Sequence, residues 1–393
     1  MKLWSHNFRW VYESNFWLYC AMYALLIRLP LPLGGDQTDL LFWANLYFMV
    51  GLWLPGSFAA YLMDRFPRKA VYLWSLIGCL LCTFLIPSAG EASSLHLLQT
   101  ATNYGTVFPL FFIRLIQGTC YGLALNLGNT LTIDITPSPR RSEANSTFLR
   151  GGRLGIGAAI AGVYVFCLWY GDQGLFYFSL SCCALAILSA VMLNITFRAP
   201  MSLPILSIDR YLLLRTWPEI CNVLFLALTP GILTAPLLSQ TAEYPGGMER
   251  ALPWITGFIG FAFSFYLHRF RLEQSNYRFK TILSLSLLIA SCLFIGWGVS
   301  YYYFLIGIFL LAMGTEMAAT EFLMMFIRMS DHCQRGTATH SYIMAWETGF
   351  TAGIGIGFAI DENIGYAPLF SALIALILFI TFTDKHYNKL RLR

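Results

Sequence analysis

Long apolar segments recur from one end of the chain to the other, and they restrict the possible folds more than any other feature. A membrane-spanning helix needs about 20 mainly apolar residues, and the 393-residue sequence contains twelve such segments separated by short polar stretches. They are residues 8–32, 40–63, 70–88, 107–134, 146–170, 173–196, 216–239, 251–269, 279–298, 301–329, 336–360 and 364–383. Segments such as 281–296 are apolar on every face, unlike the alternating strands of a membrane barrel. The pattern predicts an all-α integral membrane protein with twelve transmembrane helices.

The distribution of charge gives the orientation of these predicted helices. Charged residues make up only 11% of the chain, against about a quarter in soluble domains, which excludes a large soluble domain. An even number of spans places both termini on one side. With the N-terminus inside, twenty-one Lys and Arg residues lie at cytoplasmic span ends and Arg250 alone lies at an external one. Because basic residues near span ends stay in the cytoplasm, we expect a multi-pass protein of the cytoplasmic (inner) membrane with both termini cytoplasmic.

The two halves of the chain share sequence features at a similar offset. Gly118 in the fourth predicted span and Gly314 in the tenth are 196 residues apart, and each precedes a basic loop and a glycine-rich span. The triplet at residues 64–66 (DRF) follows the second span, and the triplet at 268–270 (HRF) follows the eighth. Secondary transporters are commonly built from such repeats. The sequence predicts two parallel-related six-helix bundles, residues 1–197 and 216–393, joined by a cytoplasmic linker, residues 198–215.

Two motifs carry a family resemblance. Residues 60–69 (AYLMDRFPRK), between the second and third spans, resemble the Gly-x-Leu-Ala-Asp-Arg-x-Gly-Arg-Lys signature of the major facilitator superfamily. Arg114, Gln117 and Gly118 in the fourth span resemble the second motif of that superfamily. The resemblance extends over the whole chain, because the predicted spans, the half repeat and both motif positions agree. It implies a secondary transporter that moves a small solute by alternating access, similar to bacterial efflux members.

The motifs also depart from the family pattern at three positions. Ala60 and Pro67 replace the two glycines of the loop motif. In the glycine-rich fifth span, Ile160 stands where the antiporter motif of the superfamily has proline. The first two changes leave the charged positions of the loop intact, whereas the third weakens the resemblance to exporters in particular.

The resemblance implies a conformational latch at the cytoplasmic ends of the second and fourth spans. In the family such a loop forms a charge cluster that holds one access state and breaks in the other, which is the bistable element that alternating access requires. In this sequence the latch residues are Asp64, Arg65, Arg68, Lys69 and Asp134. The alternative is that these charges only set the topology and flank a tight turn.

Charged residues inside the predicted spans are the candidates for substrate contact or proton coupling. Each charge costs about 2.5–3.5 kcal/mol at mid-bilayer on insertion scales and must face protein or water. The candidates are Arg28, Arg114, Glu316, Glu321 and Glu347, together with the polar Asn126. For Arg28 the alternative is snorkelling to the outer interface, and for the glutamates it is a structural hydrogen bond or ion pair. For Asn126 the alternative is ordinary packing between helices.

These features predict proton-coupled efflux of a small organic solute, with uptake of a sugar, peptide or other metabolite by a proton symporter as the alternative. A third possibility is a polytopic membrane enzyme, but the six His residues show no metal-ligand spacing. No nucleotide-binding P-loop is present in the sequence, so the expected energy source is the proton gradient. We expect no cofactor and no metal. The expected partners are the small-molecule substrate and the lipid bilayer, without nucleic acid, and the expected state is a monomer.

Overall fold

The described part of the chain is helical. The computed structural model describes residues 3–28, 38–97, 108–171, 173–195, 205–206, 211–243, 248–272, 274–297, 300–331, 334–360 and 366–391, and no strand occurs within these ranges. The helices of the first half are α1 (His6–Arg28), α2 (Thr38–Trp53), α3 (Ala59–Arg65), α4 (Arg68–Leu97), α5 (Phe108–Ile135), α6 (Arg141–Tyr170) and α7 (Gln173–Val191). Those of the second half are α8 (Trp217–Glu243), α9 (Met248–Phe270), α10 (Tyr277–Trp297), α11 (Tyr301–Arg328), α12 (Arg335–Ala359), α13 (Tyr366–Leu378) and α14 (Asp384–Arg391).

The helices coincide with the predicted spans, and the prediction of an all-α membrane fold is confirmed. Among the described residues, nine helices are long and apolar enough to cross a membrane, and a tenth span results if one bent pair is counted as a single span. The total of twelve spans and the cytoplasmic position of the termini stay predictions. The last span differs from the prediction at its end, because a π-helical stretch (Phe379–Thr383) joins α13 to α14 and carries the helix on to Arg391.

The second predicted span is broken rather than continuous. A short 3₁₀ segment, Leu54–Ser57, separates α2 from α3, and the two pieces of the span meet at an angle of 55°. Pro55 lies in this segment, and proline supplies no N–H to the helical hydrogen-bond ladder. The hydroxyl of Tyr211, from the predicted linker, donates to the carbonyl oxygen of Leu52 beside the break. Burial raises the pKa of Tyr211, so its hydroxyl remains a donor.

The chain divides into two compact units, Met1–Leu212 (unit 1) and Leu213–Arg393 (unit 2). In unit 1, α1 packs against α6 and α7, α4 packs against α5 and α7, and α2 packs against α5. In unit 2, α8 packs against α12 and α13, α10 packs against α11 and α13, and α9 packs against α11. The same pairings therefore occur in the same chain order in both units, as expected for a parallel repeat.

The two glycine-rich spans have the same packing role in the two units. A side-chain Cβ on Gly155 of α6 would lie 2.7 Å from the carbonyl oxygen of Phe16 on α1. A Cβ on Gly353 of α12 would lie 2.5 Å from the carbonyl oxygen of Leu228 on α8. Small residues let helix backbones approach closely where the hydrophobic effect between helices is absent. The glycine-rich stretches are therefore explained by close helix packing within each unit.

Candidate functional site

Arg114 is the centre of a buried polar network in unit 1. Its Nη1 donates to Oε1 of Gln117 at 2.6 Å, and its Nη2 donates to Oδ1 of Asn45 at 2.9 Å. Gln117 in turn donates from Nε2 to Oγ1 of Thr83 at 3.1 Å. The guanidinium carbon lies 4.6 Å from the ring centroid of Phe48. The network thus joins α2, α4 and α5 around a guanidinium group that is fully buried.

The positive charge of Arg114 has no carboxylate partner among the described residues. Two amide oxygens and one aromatic face surround the guanidinium, and its Nε has no hydrogen-bond partner within the described ranges. A buried charge is costly unless it is paired, and a cation–π contact contributes only about 0.5–2 kcal/mol. An arginine cannot lose its proton in a protein. The arrangement is therefore suited to attract an anion or to repel a cation.

Two other candidates of unit 1 are separate from this network. Asn126 is buried on the same helix, but it is 12 positions further along α5, which at 1.5 Å per residue is about 18 Å. Its Nδ2 has no hydrogen-bond partner among the described residues. Arg28 is the last residue of α1, and its side chain lies outside the described residues, so its role stays a prediction.

The carboxylates predicted inside the spans of unit 2 lie on two helices that pack together, α11 and α12. Glu316 and Glu347 are both buried. Oε1 of Glu316 accepts a hydrogen bond from Oγ1 of Thr320 at 3.1 Å. Glu316 and Glu347 each lie more than ten residues from the nearer end of their helix, as expected for groups deep in a membrane. Both carboxylates can therefore serve as proton carriers or as ligands for a solute.

Glu321 has a different environment. Its Oε1 lies 3.5 Å from Nζ of Lys280 on α10 and 3.7 Å from Nε2 of His268 on α9. The Glu321 side chain is 6% exposed. This carboxylate therefore joins three helices as the acidic member of an ion-pair cluster, which is the structural alternative considered for it. We call His268, Lys280 and Glu321 the unit 2 charge cluster.

Three of the predicted latch residues come together in unit 1. Arg68 pairs through Nη2 with Oδ1 of Asp64 at 3.2 Å and through Nη1 with Oδ2 of Asp134. We call Asp64, Arg68 and Asp134 the unit 1 charge cluster. Lys69 instead donates from Nζ to the backbone carbonyls of Val191 and Leu193, at 2.7 and 2.6 Å.

Arg65, the fifth predicted latch residue, is exposed. Within the described residues it makes no ion pair with a carboxylate. Lys69 is bound to carbonyl groups at the C-terminal end of α7 and just after it, where a cation is favoured by the helix dipole. The structure thus brings together one base and two acids of the predicted latch, and it places the two remaining bases elsewhere.

Sequence reasoning missed the partners of these charges. Asn45 and Thr83 each interrupt an apolar span, so their polarity was the signal that could have identified them as partners of the Arg114 network. Lys280 was counted only as a basic residue at a span end, and His268 only as part of a repeat triplet. Their pairing with Glu321 depends on which helices pack together. Within the described residues, no group of three or more His, Cys, Asp or Glu side chains could hold a metal ion.

Buried charges on closely packed apolar helices, repeated in two units, define a membrane transport protein. Residues 14–282 match the Major Facilitator Superfamily. The chain belongs to this family, because the match covers more than half of its length, and it is therefore a multi-pass membrane transporter of small molecules and not an enzyme. No curated protein sequence matches the chain.

Solved structures show the same fold. The chain is similar to a bacterial homologue of the iron transporter ferroportin in the outward-facing state, with 15% identity and a TM-score of 0.67, over 98% of this chain and 100% of that one. It is also similar to PepTSo of the POT family, with 10% identity and a TM-score of 0.68, over 99% of each chain. The E. coli fucose:proton symporter gives 15% identity and a TM-score of 0.63, over 96% and 98%. At these identities the similarity establishes the fold alone.

Proposed function

We propose that the protein is a proton-coupled exporter of a small organic solute that carries a negative charge. The observation that carries this proposal is the fully buried Arg114, whose guanidinium has amide oxygens and a ring face around it but no described carboxylate. A solute anion would supply the missing negative charge at this site. The transporter would act as a monomer in the cytoplasmic membrane and would need no cofactor.

The proposed proton carriers are Glu316 and Glu347 of unit 2. Both are buried in α11 and α12, and each glutamate can exist as a charged or a neutral group. The proton gradient can drive such a cycle, because one charge crossing 100 mV gains about 2.3 kcal/mol. Asn126, with its Nδ2 lacking a described partner, is proposed as a hydrogen-bond donor to the solute. The unit 1 charge cluster would close and open once per transport cycle.

The solute can be identified with a thermal-shift screen of organic anions and matched neutral analogues on the purified protein. Transport of the best ligand would then be measured in proteoliposomes with and without an imposed pH gradient. We expect Arg114→Gln to reduce the transport rate at least tenfold, because the cation that attracts the solute is lost. In the separate variants Glu316→Gln and Glu347→Gln, we expect the transport that is retained to be independent of the pH gradient.

Glu143→Gln provides the matched control. Glu143 is an exposed carboxylate whose described ion pair is an i,i+3 contact with Arg140 at 3.5 Å, so its removal should leave transport unchanged. Full transport by Arg114→Gln, or preference for neutral ligands, would contradict the anion site. Unchanged gradient dependence in both glutamate variants would contradict their role as proton carriers.

Uptake by proton symport is the second candidate. The same proteoliposomes distinguish it, because an exporter moves solute against the direction of proton flow whereas a symporter moves both together. Accumulation of solute on the side that protons enter would assign uptake and would contradict export.

A further inference from the structure

The beginning of α8 and the end of the last span enclose a polar cluster that the transport proposal does not use. The last span changes from α-helix to π-helix at Phe379–Thr383 before α14 begins. π-Helical turns are rare and occur frequently at functional sites. The π-helical stretch and α14 contact α8, and α14 follows the stretch directly. This geometry brings polar groups of two distant chain segments together inside the helix bundle of unit 2.

Two side-chain contacts join the beginning of α8 to the end of the last span. Nδ1 of His386 lies 2.9 Å from Oε1 of Glu219, and Asn222 donates from Nδ2 to Oγ1 of Thr383 at 3.0 Å. Glu219 and Asn222 are three residues apart on α8, so they are neighbours on one helix face. Thr383 and His386 are likewise three residues apart. Glu219 and Asn222 are both fully buried, whereas the His386 side chain is 26% exposed.

Three buried polar atoms of this cluster have no hydrogen-bond partner within the described residues. They are Oε2 of Glu219, Oδ1 of Asn222 and the hydroxyl of Tyr387. The first two are acceptor atoms of residues three positions apart on one helix face, and neither has a described donor. An acceptor left without a donor in the protein interior costs about 1–3 kcal/mol. A hydrogen atom between the carboxylate and the amide oxygen would satisfy both.

We propose that Glu219, Asn222 and His386 form a proton-binding site of unit 2. The proton binds to Oε2 of Glu219, and the resulting O–H donates to Oδ1 of Asn222. Oε1 remains the acceptor for Nδ1–H of His386. The imidazole ring is the partly exposed member of the site, with its side chain 26% exposed. Proton uptake thus neutralises Glu219 and changes the attraction between α8 and α14.

Two other charged groups near these elements, Asp384 and Arg215, have partners of their own. On α14, Asp384 accepts a hydrogen bond from the hydroxyl of Tyr277 at 2.7 Å and lies 3.5 Å from Nε of Arg278. Before α8, Arg215 pairs with Asp331 at 3.2 Å. From α12, which packs against α8, His340 is fully buried. Among the described residues His386 is the one basic side chain within 4 Å of the Glu219 carboxylate.

The site is distinct from the proposed proton carriers Glu316 and Glu347 on α11 and α12. The inference does not depend on the direction of transport or on the solute, because it concerns proton binding by the protein itself. If the exporter proposal is correct, Glu219 provides a further place where proton uptake can bias the conformation of unit 2. Its test uses the protein without solute, so the two proposals can fail separately.

The experiment is infrared difference spectroscopy of the full-length protein in liposomes, titrated between low and high pH. The parent protein should show the carbonyl band of a buried protonated carboxyl group, which disappears as the pH rises. Glu219→Gln should lose part of the intensity of this band, because the amide has no titrating proton, and the contributions of Glu316 and Glu347 should remain. Asn222→Ala should retain the band at a shifted frequency, because the hydrogen bond from the protonated carboxyl is removed. The control Glu143→Gln should match the parent.

A carboxyl band in Glu219→Gln that is identical in intensity to that of the parent would overturn the proposal, as would an identical band frequency in Asn222→Ala. Glu219→Gln preserves the shape of the side chain, and its thermal unfolding would be measured alongside. If that variant does not fold, the frequency shift in Asn222→Ala decides the question. A parent spectrum that responds to Na⁺ at constant pH, and not to pH itself, would assign the oxygen atoms to a metal cation and would also overturn the proposal.

Discussion

The two units place ion-pair clusters of opposite composition on corresponding helices of the repeat. In unit 1 the cluster joins α3, α4 and α5, and one base, Arg68, lies between the acids Asp64 and Asp134. In unit 2 the cluster joins α9, α10 and α11, and one acid, Glu321, lies between the bases Lys280 and His268. The helix pairings are repeated in the two units, but the signs of the charges are exchanged.

This difference shows that the repeat preserves the packing of the helices and not the chemistry of their charges. The base of the unit 1 cluster keeps its positive charge, because arginine stays protonated. The unit 2 cluster contains a histidine, which is the side chain whose charge changes most readily near neutral pH. We therefore expect the base of the unit 1 cluster to keep its charge at every pH and the unit 2 cluster to respond to protonation. Three substitutions test this comparison.

The largest effect is expected from Arg68→Gln. It leaves two carboxylates facing each other without their shared base, and the Asp64 side chain is only 6% exposed. We expect a loss of about 2–3 kcal/mol in the free energy of unfolding, measured by unfolding in mixed detergent micelles. Transport should also slow if the cluster is the latch. Parent-like stability and an unchanged transport rate would refute the role of Arg68 as the central base.

A smaller effect is expected from Glu321→Gln in unit 2. Lys280 loses its counter-ion, but the remaining glutamine can still accept a hydrogen bond from it. We expect a loss of about 1–2 kcal/mol in the same unfolding measurement, and the loss should depend on pH over the range in which a histidine gains its positive charge. A loss that is independent of pH would show that His268 does not take part, and the contrast between the clusters would then disappear.

The smallest effect is expected from Arg65→Gln. Arg65 is exposed and follows directly after the buried Asp64, and exposed charges contribute about 0–1 kcal/mol. We expect a change below about 0.5 kcal/mol in unfolding, which makes this variant the control for Arg68→Gln. If Arg65→Gln lowered the free energy of unfolding as much as Arg68→Gln does, the stability would depend on the total positive charge of the loop. The specific ion pairs of Arg68 would then not explain it.

The sequence was sufficient to predict the helical membrane fold and the superfamily, and both are confirmed. Apolar runs of span length identify helices because a backbone in lipid must satisfy its own hydrogen bonds. Helix ends were less accurate: the second span breaks at Pro55, and the last helix continues to Arg391. The number of twelve spans, the domain boundaries, the orientation and the roles of the site residues stay predictions.

The candidate site was only partly predictable. Arg114, Glu316 and Glu347 could be chosen from the sequence, because a charge inside an apolar span is conspicuous in itself. Their neighbours could not, because Asn45 and Thr83 lie on different helices from Arg114. Glu219 and His386 are 167 residues apart in sequence, and no local pattern connects them.

The sequence by itself determined which segments are helices of a membrane protein and which few charges lie within them. The reason is that transfer of apolar and charged groups between water and lipid depends on composition and length. Only the tertiary structure decided which of those charges are paired, as Glu321 is with Lys280, and which are left without a described counter-ion, as Arg114 is. Pairing depends on contacts within about 4 Å between helices far apart in sequence, and these contacts are set by the packing of the glycine-rich and apolar faces.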